Sequence, residues 1–112
     1  QGECGICTVF VNGKSVYSCP IIALDVAGKN VVTVEGLMKG EELHPVQEAF
    51  IEHDGLQCGY CTPGQIMAAQ AILMNNPKPD KEEVIEGMSG NICRCAAYPN
   101  IIKSVIAAAE NN

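Results

Sequence analysis

A chain of 112 residues is one domain or two very small ones. Hydrophobic residues make up 47%, but with no Trp and only two Phe the core must rest on Ile, Val, Ala and Met, and seven cysteines offer metal or covalent staples for it. A formal net charge of −6 and a pI near 4.7 speak against nucleic acid or an anionic membrane as partner.

From the start, Gly2–Val11 reads as a glycine-bracketed cysteine loop, with Cys4 and Cys7, feeding a strand over Thr8–Val11. Asn12-Gly13 is the strongest short hairpin signal, so Lys14–Tyr17 is the expected return strand, with Cys19 just beyond it. Folding the base of that hairpin over the loop brings Cys4, Cys7 and Cys19 together. Val31–Val34 is a third strand candidate, closed by Gly36.

From Leu37 apolar residues recur at helical spacing, and four helices are expected. The first opens near Pro45, carries Val46, Ala49, Phe50 and His53 on one face, and stops at Asp54-Gly55. The second starts at Thr62-Pro63-Gly64-Gln65, with Thr62 as cap and Gln65 completing a capping box, and buries Ile66, Ala69, Ile72 and Leu73. Asp80 and Glu83 open the third, which buries Val84, Ile85 and Met88. The fourth begins around Pro99-Asn100 and buries Ile101, Ile102, Val105, Ile106 and Ala109. Its apolar run is short and interrupted by Lys103 and Ser104, so no membrane span is expected.

Gln57-Cys58-Gly59-Tyr60-Cys61 and Cys93-Arg94-Cys95 carry the chemistry: a C-x2-C and a C-x-C separated by thirty-one residues. Close pairs present two sulfurs to one point, as a metal or iron–sulfur cluster requires, whereas a disulfide within a C-x-C is badly strained. An odd number of thiols also fits a closed disulfide framework poorly, and a reducing compartment, the cytoplasm, is expected. The periplasm stays open, because the chain opens on Gln within a motif. The two pairs lie in the loops before the second and fourth helices, so helical hairpins packed with those loops at one end gather all four sulfurs. The positive ends of those helices then face a negative thiolate group. Zinc, a single iron, and [2Fe-2S] or [4Fe-4S] clusters are all compatible with four thiolates, although zinc ribbons usually pair two C-x2-C knuckles.

Cys4-x2-Cys7 matches the tail of the plant-type ferredoxin spacing, whose first cysteine would fall two positions before Gln1. The run QGECGICTVFVNGKSVYSC resembles the ferredoxin-type half of the small iron–sulfur subunit of molybdenum hydroxylases. This family takes in xanthine dehydrogenase, carbon monoxide dehydrogenase and aldehyde oxidoreductases. LQCGYCTPGQIM and MSGNICRCAAYPNI resemble its helical half, so the likeness covers essentially the whole chain.

The resemblance implies an α+β fold: part of a β-grasp ferredoxin-like domain over residues 1–36, then a four-helix [2Fe-2S]-binding bundle over 37–112. It implies that Cys58, Cys61, Cys93 and Cys95 bind one [2Fe-2S] cluster. Cys4, Cys7 and Cys19 would supply three ligands of a second cluster, whose fourth ligand is missing here. Gln57 and Cys95 would lie against molybdopterin on a large partner subunit, with FAD on a further subunit. The implied role is electron transfer from the molybdenum cofactor toward FAD or another acceptor, with no catalytic residue on this chain. A free ferredoxin-like carrier and a zinc-stabilised interaction module are the competing readings. His44 and His53 are expected to be structural, Met67, Met74 and Met88 core filler, and Arg94 either a counter-charge to a cluster or a partner's ion pair.

Overall fold

Asn12 and Gly13 turn the chain with φ of 50° and 82°, the left-handed pair that a two-residue hairpin needs. In the computed structural model, which describes residues 2–110, this turn joins β1 (Thr8–Val11) to β2 (Lys14–Tyr17), with Val11 opposite Lys14 and Thr8 opposite Tyr17. The third strand, β3, is shorter than expected: only Val31–Val32 pairs, antiparallel to β1, giving the order β2-β1-β3. Val34 instead enters a 3-10 turn over Val34–Leu37, and the backbone N–H of Gly36 donates to the Thr33 carbonyl rather than to a ladder. Along β1 the inward residues Thr8 and Phe10 are buried, the period of two expected for a sheet covered on one face.

Four helices follow: α1 (Pro45–Glu52), α2 (Thr62–Asn75), α3 (Lys81–Gly87) and α4 (Tyr98–Glu110). The fold is α+β. α2 is the central element, packed on β1 and β2 on one side and on α1, α3 and α4 on the other. Residues Gly64–Ala69 are buried without a break, which covers more than one face of a helix and explains why α2 shows little amphipathic contrast. Val46, Phe50, Ile66, Ala69, Leu73, Val84, Ile101 and Val105 form one continuous core that also takes in Cys93. Truncating Phe50, 1% exposed, to Ala would cost about 3–5 kcal/mol.

The helix ends position the cysteine loops. His44 caps α1: its Nδ1 accepts the Val46 N–H at 3.2 Å, while the Gln47 side chain accepts the His44 N–H at 2.8 Å. At the other end Asp54 takes φ 53°, and the Gly55 N–H donates to the Phe50 carbonyl at 2.8 Å, a Schellman closure that delivers the chain to Gln57. Gly55 is required there, since a Cβ would stand 2.6 Å from Ser104 Oγ and 2.8 Å from the Phe50 ring. Asp80 and Glu83 form the expected capping box of α3.

Details of the helices differ from expectation: Ile72, Ile102 and Ile106 are only partly buried, packed against the core rather than within it. Thr62 does not cap α2; Cys61 holds that position and the Thr62 hydroxyl is unpaired. Ile85 is 46% exposed, since a seven-residue helix has room for one buried stripe and Val84 occupies it. Met74 is 53% exposed near the end of α2, beyond the sheet's reach, while Met67 and Met88 are buried as expected. α4 starts at Tyr98, a residue or two early, because the Ile101 N–H already finds the Ala97 carbonyl.

Candidate metal centres

Cys58 and Cys61 sit in the loop between α1 and α2, and Cys93 and Cys95 in the loop between α3 and α4. The two loops lie at one end of the helices and their sulfurs meet in pairs: Cys58 with Cys95, and Cys61 with Cys93. Gly59 at φ 84° and Ala96 at φ 57° supply the reversals that aim neighbouring thiols the same way. In each pair one thiol is shifted down and its neighbour up. The Tyr60 backbone N–H, and after it the Cys95 thiol, hold Cys58 below the ordinary thiol range. For Cys95 the Cys58 backbone N–H pulls down, but the Cys58 thiol and burial prevail and the net shift is upward. Burial pushes Cys61 up to about 11, with the Cys93 thiol adding to it. Burial also acts to raise Cys93, but the Ala97 N–H and the Cys61 thiol outweigh it and the net shift is downward.

Backbone donors already point at these sulfurs: the Tyr60 N–H at Cys58 Sγ and the Ala97 N–H at Cys93 Sγ, both 3.5 Å. Cys61 caps α2, and Cys95 stands three residues before α4, so two helix N-termini face the group. Tyr98 fixes the C-x-C loop from below, its hydroxyl accepting the Cys93 N–H at 2.8 Å.

The front group is looser. The Cys19 N–H donates to Cys7 Sγ at 3.3 Å and the Gly2 N–H to Cys19 Sγ at 3.0 Å, so Cys7 and Cys19 come together across the hairpin base. Cys4 lies in the same loop, beyond Gly5 at φ 79°, and faces a different neighbour. It lines a hollow of about 260 Å³ with Ile6, Cys58, Tyr60, Cys61, Ile92 and Arg94, which sets it toward the helical cysteine group. The cysteine expected two positions before Gln1 lies outside the described residues.

The groups are tied together by backbone. The Ile92 N–H donates to the Cys4 carbonyl at 2.8 Å, and the buried Asn91 amide donates to the Gly5 carbonyl at 2.9 Å. Tyr17 adds a hydrogen bond to the Gly90 carbonyl. Asn91 and Tyr98 were not singled out in the sequence, although both stand within five residues of Cys93. An Asn two residues before the C-x-C pair was the available signal.

Gln57 is exposed and shares a hollow of about 390 Å³ with Cys95, Leu56, Ala96 and Asn100. His44 and His53 cap the two ends of α1, in keeping with structural roles. Arg94 is exposed and lines the hollow beside Cys4, Cys58 and Cys61, consistent with a counter-charge.

The donor set fits an iron–sulfur cluster. Its members are thiols only, approached by N–H groups and two helix N-termini, and soft thiolates select iron–sulfur or zinc. Among the described residues no group of three or more His, Cys, Asp or Glu side chains is set to hold a single metal ion. Paired sulfurs suit a two-iron cluster, which takes two thiolates on each iron, better than one tetrahedral zinc with four sulfurs about 2.3 Å from a single point.

Comparison with known proteins agrees. The family described as [2Fe-2S] binding domain matches residues 33–106. The chain is 44% identical to the iron-sulfur-binding subunit of an aldehyde oxidoreductase from Escherichia coli (strain K12), over 97% of this chain and 54% of that protein. It is 49% identical to the small subunit of nicotine 6-hydroxylase from Paenarthrobacter nicotinovorans, over 96% of this chain and 65% of the relative. The chain thus spans between about half and two thirds of the length of these relatives. The crystal structure of quinoline 2-oxidoreductase from Pseudomonas putida 86 superposes with a TM-score of 0.94 at 46% identity, covering 98% of this chain and 69% of that one. The chain belongs to the [2Fe-2S]-binding family that forms the iron–sulfur subunits of aldehyde oxidoreductase- and xanthine dehydrogenase-type molybdenum hydroxylases.

Proposed function

We propose that this chain is the electron-transfer part of a molybdopterin-dependent hydroxylase or dehydrogenase whose substrate chemistry belongs to a large partner subunit. The observation that carries this is the pairing of Cys58 with Cys95 and Cys61 with Cys93 at one end of four packed helices. These four would hold one [2Fe-2S] cluster, and Cys4, Cys7 and Cys19 would supply three ligands of a second. Such a group, when bound, supplies a one-electron store that allows a two-electron oxidation to be unloaded singly toward FAD or another acceptor.

The chain's own residues provide the surroundings. Burial of Cys93 among Ile101, Val105 and Phe50 keeps water from one side of the site, and the Tyr60 and Ala97 N–H groups stabilise negative sulfur. Residues 1–36 form part of a β-grasp ferredoxin-like unit and 37–112 a helical bundle. The hollow at Gln57 and Cys95 is the face that meets the pterin, where the Gln57 amide can both donate and accept at a heterocycle edge.

Anaerobic purification tests this. Iron and sulfide in equal amounts and a [2Fe-2S] electron paramagnetic resonance signal on reduction are expected, both lost at the helical site in Cys93→Ser. Stoichiometric zinc without that signal would sink the proposal in favour of a structural zinc module. Isolation without a larger chain under native conditions would favour a free carrier. Leu56→Arg, on the rim of the hollow, should block assembly while Met74→Arg, at the far end of α2, should not.

A further inference from the structure

We propose that the buried Gln65 side-chain amide is a built-in hydrogen-bond donor to the cluster held by Cys58, Cys61, Cys93 and Cys95, and that it raises the reduction potential of that cluster. The proposal rests on the ligand set given above. Gln65 is 1% exposed, yet neither its Nε2 nor its Oε1 has a hydrogen-bond partner. A buried primary amide with nothing to bond is an expensive group to keep in a core, and a Met or Leu would fill the same space.

The position of Gln65 says what the amide waits for. It follows the α2 cap Cys61 by four residues, and its backbone N–H donates to the Cys61 carbonyl at 3.1 Å. Helical side chains lean back over the preceding turn, so the Gln65 amide is directed at the Cys61 loop. It stands near the Cys61 thiol, short of a formed hydrogen bond. Unpaired buried polar atoms are not scattered. Among the described residues there are four, and three lie on Thr62 and Gln65, within a turn of Cys61.

A neutral thiol is a weak acceptor, whereas a metal-bound thiolate or a sulfide is a good one. An amide that finds no partner against thiols therefore acquires one when the sulfurs become anionic. Reduction adds negative charge to those sulfurs, so a donor stabilises the reduced form more than the oxidised one and the potential rises.

The test uses the full chain, purified anaerobically with its cluster, as wild type and Gln65→Met. Dithionite titration followed by electron paramagnetic resonance should place the Gln65→Met midpoint at a more negative potential, with iron and sulfide content unchanged. The cluster-free variant should resist urea at least as well as wild type, because an unpaired amide has gone. In the wild type labelled with side-chain ¹⁵N-glutamine, pulsed hyperfine spectroscopy of the reduced cluster should show coupling to an amide nitrogen that persists in Gln57→Ala. That measurement decides the matter even if Gln65→Met fails to load. An unmoved midpoint, or no ¹⁵N coupling in a loaded wild type, overturns the assignment to Gln65 alone. Wild-type protein that binds no cluster overturns the ligand set and this proposal together.

Discussion

Gly64, in the first turn of α2, rests directly on the backbone of Gly5: a Cβ at Gly64 would overlap the Gly5 carbonyl oxygen and stand 2.6 Å from Ile6 Cα. The N-terminus of the central helix is thereby seated on the loop that carries Cys4 and Cys7. Two cysteine groups from distant parts of the chain share one rigid contact, with Asn91 and Ile92 bonding the same loop from the other side.

Gly64→Ala should therefore destabilise the protein, although alanine is the better helix former by about 1 kcal/mol. Both opposing atoms are backbone, so nothing flexible can yield, and overpacking of this kind costs about 1–3 kcal/mol. A lower urea midpoint with native helix content, together with a disturbed front site, is expected. A more stable Gly64→Ala variant would show that the two loops are free to part.

Tyr98→Phe removes the acceptor of the Cys93 N–H and leaves that donor unpaired beside a residue 5% exposed. The expected loss is about 1–3 kcal/mol, the range for orphaning a buried polar group. Faster hydrogen exchange at the Cys93 amide localises the effect to the C-x-C loop. If stability falls while that amide stays protected, the tyrosine acts by packing alone.

Much of this was legible in the sequence because local chemistry decides it. Asn12-Gly13 set the hairpin, Asp80 and Glu83 set the start of α3, and the paired cysteines marked the two loops. What escaped depends on partners far along the chain. Thr62 looked like a cap, but Cys61 precedes it at the helix start and leaves its hydroxyl unpaired. Val34 looked like strand, yet pairing with β1 stops at Val32 and a 3-10 turn takes over. Gln65 looked like half of a capping box, yet its side chain is buried and makes no capping hydrogen bond.

Lys78 lies in the α2–α3 loop, and its Nζ donates to the Ala109 carbonyl in the last turn of α4 at 3.2 Å, tying that loop to a helix C-terminus that otherwise has no basic residue in its last turn. Lys78→Ala should cost about 0.3–1 kcal/mol, less at high salt, as a cation near a helix C-terminus does. Thermal unfolding at two ionic strengths measures this, and a salt-independent loss would assign it to the hydrocarbon stem.

His44 makes the stability of α1 depend on pH. Its Nδ1 accepts the Val46 N–H, which requires a neutral ring with the proton on Nε2. Burial, and after it the positive charge of Lys39, lowers its pKa below the ordinary 6.5. Below pH 6.5 the unfolded chain therefore binds a proton that the folded chain resists. The stabilisation from the neutral cap is complete above 6.5 and is lost as pH falls from there toward the lowered folded value. His44→Asn keeps an acceptor at the cap and removes the titration, so its stability should change less than that of the wild type between pH 7 and about 5.5. His44→Ala should lose about 0.5–2 kcal/mol at pH 7, with a smaller deficit at the acid end, where the wild-type cap is weakened as well. Urea midpoints at the two pH values decide it: parallel falls in wild type and His44→Asn would place the acid sensitivity among the carboxylates instead.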